Sequence, residues 1–239
     1  MSKRDRVTPE DVQRELSETT ATLPIYARLS ALFTDKRMFD SYDRFRAAGF
    51  RLVSHAEHKI MCGSHRSTEG YFFKKYNNDK SDRDQLRNYM FRVEGSRVIR
   101  ALIVERGFTR VVAPHKWLYE LPPSFPARYL VVAEKLDLAS DSETKRGYER
   151  IGKEQLLELA TMLYYFRGLN STASNLPFTE DGRIAFIDTE RWHHDKDYLR
   201  KVGDRLSGDR RKQAENVFRE LRRRGVQPVQ SSYRRKSRH

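Results

Sequence analysis

Cysteine is almost absent from this sequence. The 239 residues hold one, Cys62, so no internal disulfide can form and a reducing compartment suits the chain. Long apolar runs are missing too, and none approaches the roughly 20 residues that cross a bilayer. The opening residues, Met1 to Arg6, lack the apolar core of a secretory signal. These absences predict a cytoplasmic protein, with secretion into a host as an effector the alternative. There is no internal repeat and no nucleic-acid-binding motif. His193 and His194, with Asp195 and Asp197 nearby, are a poor zinc set, because adjacent histidines on one element point apart and no cysteine supports them. Ser64 and His65 lack the G-x-S-x-G context of a nucleophile elbow.

What is present is enough to build a core. Hydrophobic residues make up 38% and aromatics 11%, which outweighs the disorder tendency of 33% charged residues. The net charge of +14 is concentrated at one end: Arg200 to His239 carries fourteen Lys/Arg against four acids, or +10. The remainder is nearly balanced. Such a basic end can hold nucleic acid, an anionic membrane face or an acidic protein, or it can be a solvated helix face with a frayed terminus.

Local signals set an order of elements. Thr8-Pro9-Glu10-Asp11 reads as a helix start, with Thr8 as N-cap, Pro9 in first position and Asp11 closing a capping box. Helical patterns recur over Tyr26–Phe33 and Met38–Ala48. Gly49–Met61 alternates like a strand, Cys62–Gly70 reads as a turn-rich interruption, and Tyr71–Tyr76 as a short aromatic strand. Asp84 to Gly107 is a long helix with Leu86, Met90, Val93, Val98, Leu102 and Ile103 as its stripe. Val111–Tyr119 and Tyr129–Lys135 follow as strands around a proline-rich loop. A polar stretch, Ser140–Arg150, precedes a helix over Lys153–Arg167. Two apolar runs flank Glu180-Asp181-Gly182, which predicts a tight hairpin ending at Asp188. One more helix spans Asp209 to Arg224.

This order resembles a protein kinase between about Phe50 and Glu190, or 141 residues, and the residues that carry the likeness are few. Lys74 stands where kinases keep the lysine of V-A-I-K. Glu94 follows twenty residues on, in the long helix, where kinases keep that lysine's glutamate partner. Val131 to Leu138 resembles a hinge whose backbone at Glu134 and Leu136 would bond an adenine edge. Asn175 and Asp188, thirteen residues apart across the hairpin, resemble the metal-binding pair at the end of the catalytic loop and in DFG. Two oxygen donors of this kind suit Mg²⁺, a hard cation. The resemblance implies an α+β fold with an antiparallel N-lobe sheet, a long helix and a reduced helical C-lobe, here with extra N-terminal helices. It divides the chain into an N-terminal helical extension (1–48), an N-lobe and hinge (49–138), a reduced C-lobe (139–230) and a basic mobile tail (231–239).

The departures bear on activity. The catalytic aspartate position, five residues before Asn175, is Asn170, and an amide is no base. DFG reads Asp188-Thr189-Glu190, HR reads Gly168-Leu169, and G-x-G-x-x-G is absent, although Ser64, Ser67 and Thr68 between Gly63 and Gly70 could cover phosphates. Glu190 is the nearest carboxylate that could replace the missing base. The truncated pattern is similar to minimal kinase-like bacterial effectors and small-molecule phosphotransferases. It implies ATP and Mg²⁺ as cofactors and phosphoryl transfer to a protein hydroxyl or a small molecule. The alternative is a pseudokinase scaffold that uses its basic C-terminus to grip a protein partner or nucleic acid. Transfer of another part of ATP on the same scaffold is also open.

Overall fold

The computed structural model describes residues 7–53, 60–76, 82–169, 172, 174–190, 192, 202 and 204–233. The elements in chain order are α1 (Pro9–Thr22), α2 (Tyr26–Leu32), α3 (Tyr42–Ala47), β1 (Phe50–Leu52), β2 (Ile60–His65), β3 (Tyr71–Tyr76) and α4 (Asp82–Arg106). Then come β4 (Val111–Val112), β5 (Lys116–Glu120), β6 (Tyr129–Glu134), α5 (Asp141–Glu149), α6 (Lys153–Tyr165), β7 (Ile184–Ala185) and α7 (Gly208–Arg223). The fold is a mixed α+β one. The chain forms two compact units: Met1–Val93 with His115–Lys135 and Tyr233–His239, and Glu94–Pro114 with Leu136–Ser232.

In the first unit, five strands pair antiparallel in the order β1-β2-β3-β6-β5. Alternation sorts their side chains. Phe73 and Val132, paired in register, face a cluster built with Phe33, Phe39, Phe45 and Phe50, in which the Phe45 and Phe50 rings stack at 4.1 Å. On the opposite face, Tyr76 and Val131 pack with Tyr89, Met90, Phe91 and Val93 of α4. The sheet is thus covered on both faces, by α2 and α3 on one side and by α4 on the other. Helix α1 begins as expected: Thr8 Oγ1 accepts from the Asp11 amide at 3.3 Å, and the Thr8 amide donates to Asp11 Oδ2 at 3.0 Å.

The second unit is built around α6, eight of whose thirteen residues are buried, as befits a helix apolar nearly all round. Its core takes Ile99 and Leu102 from α4, Phe178, Ile184 and Phe186 from the 176–188 hairpin, and Ala214 from α7. No helix among the described residues is long and apolar enough to cross a membrane.

Four sequence readings are corrected. Cys62–His65 is strand, so the turn shrinks to Arg66–Gly70 and joins β2 to β3. Gly63 is there for closeness, not for turning: a Cβ would stand 2.8 Å from the Arg51 carbonyl oxygen and 2.9 Å from the Phe45 ring. The strand expected over Val111–Tyr119 is two. Pro114, which has no N–H for a ladder, separates β4 from β5, and β4 pairs in parallel with β7 instead. The polar stretch Ser140–Arg150 is the helix α5, started by a capping box in which Ser140 Oγ accepts from the Glu143 amide. The reading of 231–239 as a mobile tail is corrected at its start, because Ser231 and Tyr233 are buried.

Candidate functional site

The first unit holds Lys74 and Glu134. Lys74 pairs in register with Val131, and strand alternation places it with Tyr76 on the face that α4 covers. Tyr71 pairs with Glu134 at the other end of the same two-strand ladder, so the lysine strand and the hinge strand are direct neighbours. Glu134 is committed to His115: its amide donates to the His115 carbonyl at 2.9 Å, and its Oε2 accepts from the His115 amide at 2.7 Å. Lys75 was passed over by the sequence reading. It is 1% exposed, and its Nζ donates to Gln85 Oε1 at 2.8 Å and to the Tyr76 carbonyl at 3.3 Å. The signal for it was the alternation Phe73, Lys75, which puts a charge on a buried face.

The second unit holds the rest. The predicted hairpin forms around Gly182 (φ +83°), with Thr179 N donating to Arg183 O at 2.8 Å and Ala185 N to Pro177 O at 2.8 Å. It closes with Ile187 N donating to Asn175 O at 3.2 Å. That last bond brings the backbone of Asn175 opposite the residue before Asp188, so thirteen residues of separation become near neighbours. Both residues are half-buried. The Glu190 amide lies 3.4 Å from Asp188 Oδ1, which turns the chain just after the aspartate. The turn has its own anchor: Arg183 Nε donates to Asp181 Oδ2 at 2.9 Å, and Thr179 Oγ1 to Asp181 Oδ1 at 2.5 Å. Those bonds push the Asp181 carboxyl down to about 2, the Arg183 bond contributing most. A depressed carboxylate stabilises the fold fully above its ordinary value near 3.9, and the contribution fades as pH falls toward 2. Acid titrations of unfolding should accordingly show Asp181→Asn weaker than the parent at pH 6, with the difference shrinking as pH falls through about 2 and gone below both pKa values.

Gly95 of α4 sits against the segment that follows Asp188. A Cβ there would stand 2.5 Å from the Thr189 carbonyl oxygen and 2.4 Å from Trp192 Cδ1. Glycine costs about 1 kcal/mol in a helix interior relative to alanine, so its presence reflects this close approach. Gly95→Ala is expected to destabilise the protein by about 1–3 kcal/mol in urea unfolding, as overpacked sites do. Gly208→Ala, where nothing lies within 4 Å, should stay near zero.

Next to Gly95, Glu94 is 2% exposed and accepts three hydrogen bonds: from Ser231 Oγ at 2.5 Å, from the Ser232 amide at 2.6 Å and from Ser232 Oγ at 2.5 Å. The sequence reading gave Glu94 to Lys74 and missed both serines. Tyr233, an aromatic residue in a polar end, was the available sign that this segment packs. Leu136 is half-buried, one residue before Asp137, whose carbonyl accepts from the Glu180 amide at 2.9 Å. Asn170 lies outside the described residues, as do His193 and His194. Thr68 of the proposed phosphate-covering turn is buried, and its hydroxyl donates to the His65 carbonyl at 3.3 Å. Among the described residues no group of three or more His, Cys, Asp or Glu could hold a metal ion.

No protein-family model matches the sequence, and no curated protein matches it. Among solved structures it is similar to the MAP kinase LmaMPK10 from Leishmania major, at 12% identity and a TM-score of 0.32 over 70% of this chain. The chain spans 60% of that protein's length. A likeness this distant gives no residue of this chain a role.

Proposed function

We propose that the chain is a kinase-like phosphotransferase that binds ATP with Mg²⁺ through Asn175 and Asp188. The observation that supports this reading is the hairpin, whose Ile187 amide donates to the Asn175 carbonyl at 3.2 Å, so the Asn175 backbone lies opposite the residue before Asp188. The donor set fits the ion. Both side chains offer oxygen, and with no larger acidic cluster among the described residues the cation would complete its shell with phosphate oxygens and water, the usual habit of Mg²⁺. Bound there, Mg²⁺ would neutralise charge on the phosphates. Lys74, on the α4-covered face of β3, would meet phosphate oxygens, and the backbone at Glu134 and Leu136 would hold the adenine edge. The acceptor would be a protein hydroxyl or a small molecule. Binding of ATP measured with and without Mg²⁺ tests the reading, and affinity that ignores the metal counts against it.

Asn170 favours a second reading, a pseudokinase scaffold that binds nucleotide without transferring phosphate. In that reading the basic C-terminus grips an anionic partner by charge. Deleting residues 234–239 removes Arg234, Arg235, Lys236 and Arg238. Affinity for a polyanion such as heparin should fall, and the slope of log affinity against log salt should flatten by up to about 4, one unit per lost contact. An unchanged slope would show that the end makes no such contact.

A further inference from the structure

Within the first unit, helices α2 and α3 leave a cleft beside the turn that joins β2 to β3. Each helix is pinned from beneath. Leu29 of α2 and Phe45 of α3 are both 0% exposed, and the Phe45 ring stacks on Phe50. Ala31 and Leu32 of α2, Ala47 of α3 and the buried Met38 then form an apolar wall. The cleft measures about 1010 Å³, the upper end of small-molecule sites at roughly 300–1,000 Å³. Charge singles out its other side. Four arginines lie between Tyr26 and Ala48. Arg37 pairs with Asp40 and Arg46 with Asp43, outside the cleft. Arg28 and Arg44 line the cleft, and neither has an ion-pair partner among the described residues. Arg44 is half-buried, so its guanidinium is less well solvated than one at the open surface. One acid, Asp35, shares the lining, and its Oδ1 accepts from the Arg37 amide at 2.9 Å. His65 adds no charge at neutral pH: burial holds its pKa below the usual histidine value, and its Nδ1 accepts from the Ser67 amide at 3.2 Å. Two arginines against one aspartate leave the lining positive.

We propose that this cleft binds a small phosphate monoester with an apolar body, held by Arg28 and Arg44. Each side of the cleft selects one half of the ligand. A guanidinium fork matches phosphate oxygens two at a time. Two forks from separate helices suit the near-dianion that a phosphate monoester is at pH 7. The wall of Ala31, Leu32, Met38 and Ala47 takes the organic part out of water, a gain that bare phosphate lacks. Because Leu29 and Phe45 already fix both helices, binding orders little beyond two side chains. The site stands apart from the kinase-like reading, since Lys74, Asn175 and Asp188 do not line it.

Phenyl phosphate is the probe, titrated into the full chain by calorimetry, with benzoate and inorganic phosphate beside it. The parent should bind phenyl phosphate saturably and more tightly than either. Arg28→Gln with Arg44→Gln should weaken that binding at least about tenfold, the scale of one lost hydrogen bond to a charged group. Arg37→Gln with Arg46→Gln removes the same charge outside the cleft and should match the parent. Ala31→Trp fills the apolar side with both arginines kept, and should also weaken binding. The site is overturned if no binding saturates below about 10 mM, or if the folded Arg28 and Arg44 double variant binds as the parent does. Should that variant not fold, parental affinity in Ala31→Trp overturns the site instead. Equal losses in the two double variants would show attraction to overall charge alone, and overturn it too. Benzoate bound as tightly as phenyl phosphate overturns the assignment to phosphate. Inorganic phosphate bound as tightly overturns the apolar half of the ligand.

Discussion

Replacing Asp188 with alanine is expected to remove Mg²⁺-dependent ATP binding while leaving the protein folded. Asp188 is half-buried at the mouth of the hairpin, and the residues that fix that hairpin lie before it: Ile184, Ala185 and Phe186 are each 0% exposed. Losing the carboxylate removes one charged oxygen donor of a proposed two-donor set. Changes even one shell out from a metal commonly cost 10–100-fold in affinity, so a direct donor should cost about 100-fold or more. The measurement is ATP affinity by calorimetry, in Mg²⁺ and in EDTA, for parent and variant. The parent should bind more tightly in Mg²⁺; the variant should bind equally weakly in both. Metal dependence that survives in Asp188→Ala would remove the aspartate from the metal assignment.

That hairpin was legible in the sequence because everything that makes it is local. Two apolar runs, an Asp-Gly turn and an aspartate at the end of the second run suffice to set its register. The same holds for α1, whose Thr8 and Asp11 cap each other within one turn. What was not legible depends on distant partners. The two-residue strand β4 exists only because β7, more than seventy positions on, pairs with it. Gly63 looked like a turn residue because its reason for being glycine is the Arg51 carbonyl on the neighbouring strand. Helix α5 buries only Thr144 and Tyr148, so it carries no apolar stripe, though its Ser140–Glu143 capping box was in plain view. Of the site, the order and spacing of Lys74, Glu94, Asn175 and Asp188 could be read directly. The contacts that occupy Glu94 could not, because nothing near it in sequence points to Ser231 and Ser232.

The second large effect is expected at Asn170. In the proposed kinase-like reading Asn170, five residues before Asn175, takes the place of the proton acceptor. An amide is nearly isosteric with a carboxylate but has no basicity, so Asn170→Asp should restore a base without disturbing the loop. Phosphoryl transfer should rise by about 10²–10⁴-fold, the usual contribution of general-base catalysis, with little change in ATP affinity. Transfer can still proceed in the parent at a reduced rate, because positioning and charge neutralisation carry most of the work in a loose transition state. Single-turnover release of the γ-phosphate by both forms is the assay, with Lys74→Ala as the inactive control. Equal rates would mean either that Glu190 already serves as the base or that the scaffold transfers nothing. Asn170→Asp combined with Glu190→Gln separates these: it is slower than Asn170→Asp alone only if Glu190 takes part.

The central claim is that Asn175 and Asp188 form a metal and nucleotide site, and metal location tests it most directly. Crystals grown with a non-hydrolysable ATP analogue and Mn²⁺ in place of Mg²⁺ would show the ion by its anomalous scattering. The account predicts an anomalous peak within coordination distance of an Asn175 side-chain oxygen and an Asp188 carboxylate oxygen, with phosphate oxygens completing the shell. A bound analogue whose metal lies away from both residues, or a saturated solution from which neither metal nor nucleotide binds, would contradict it.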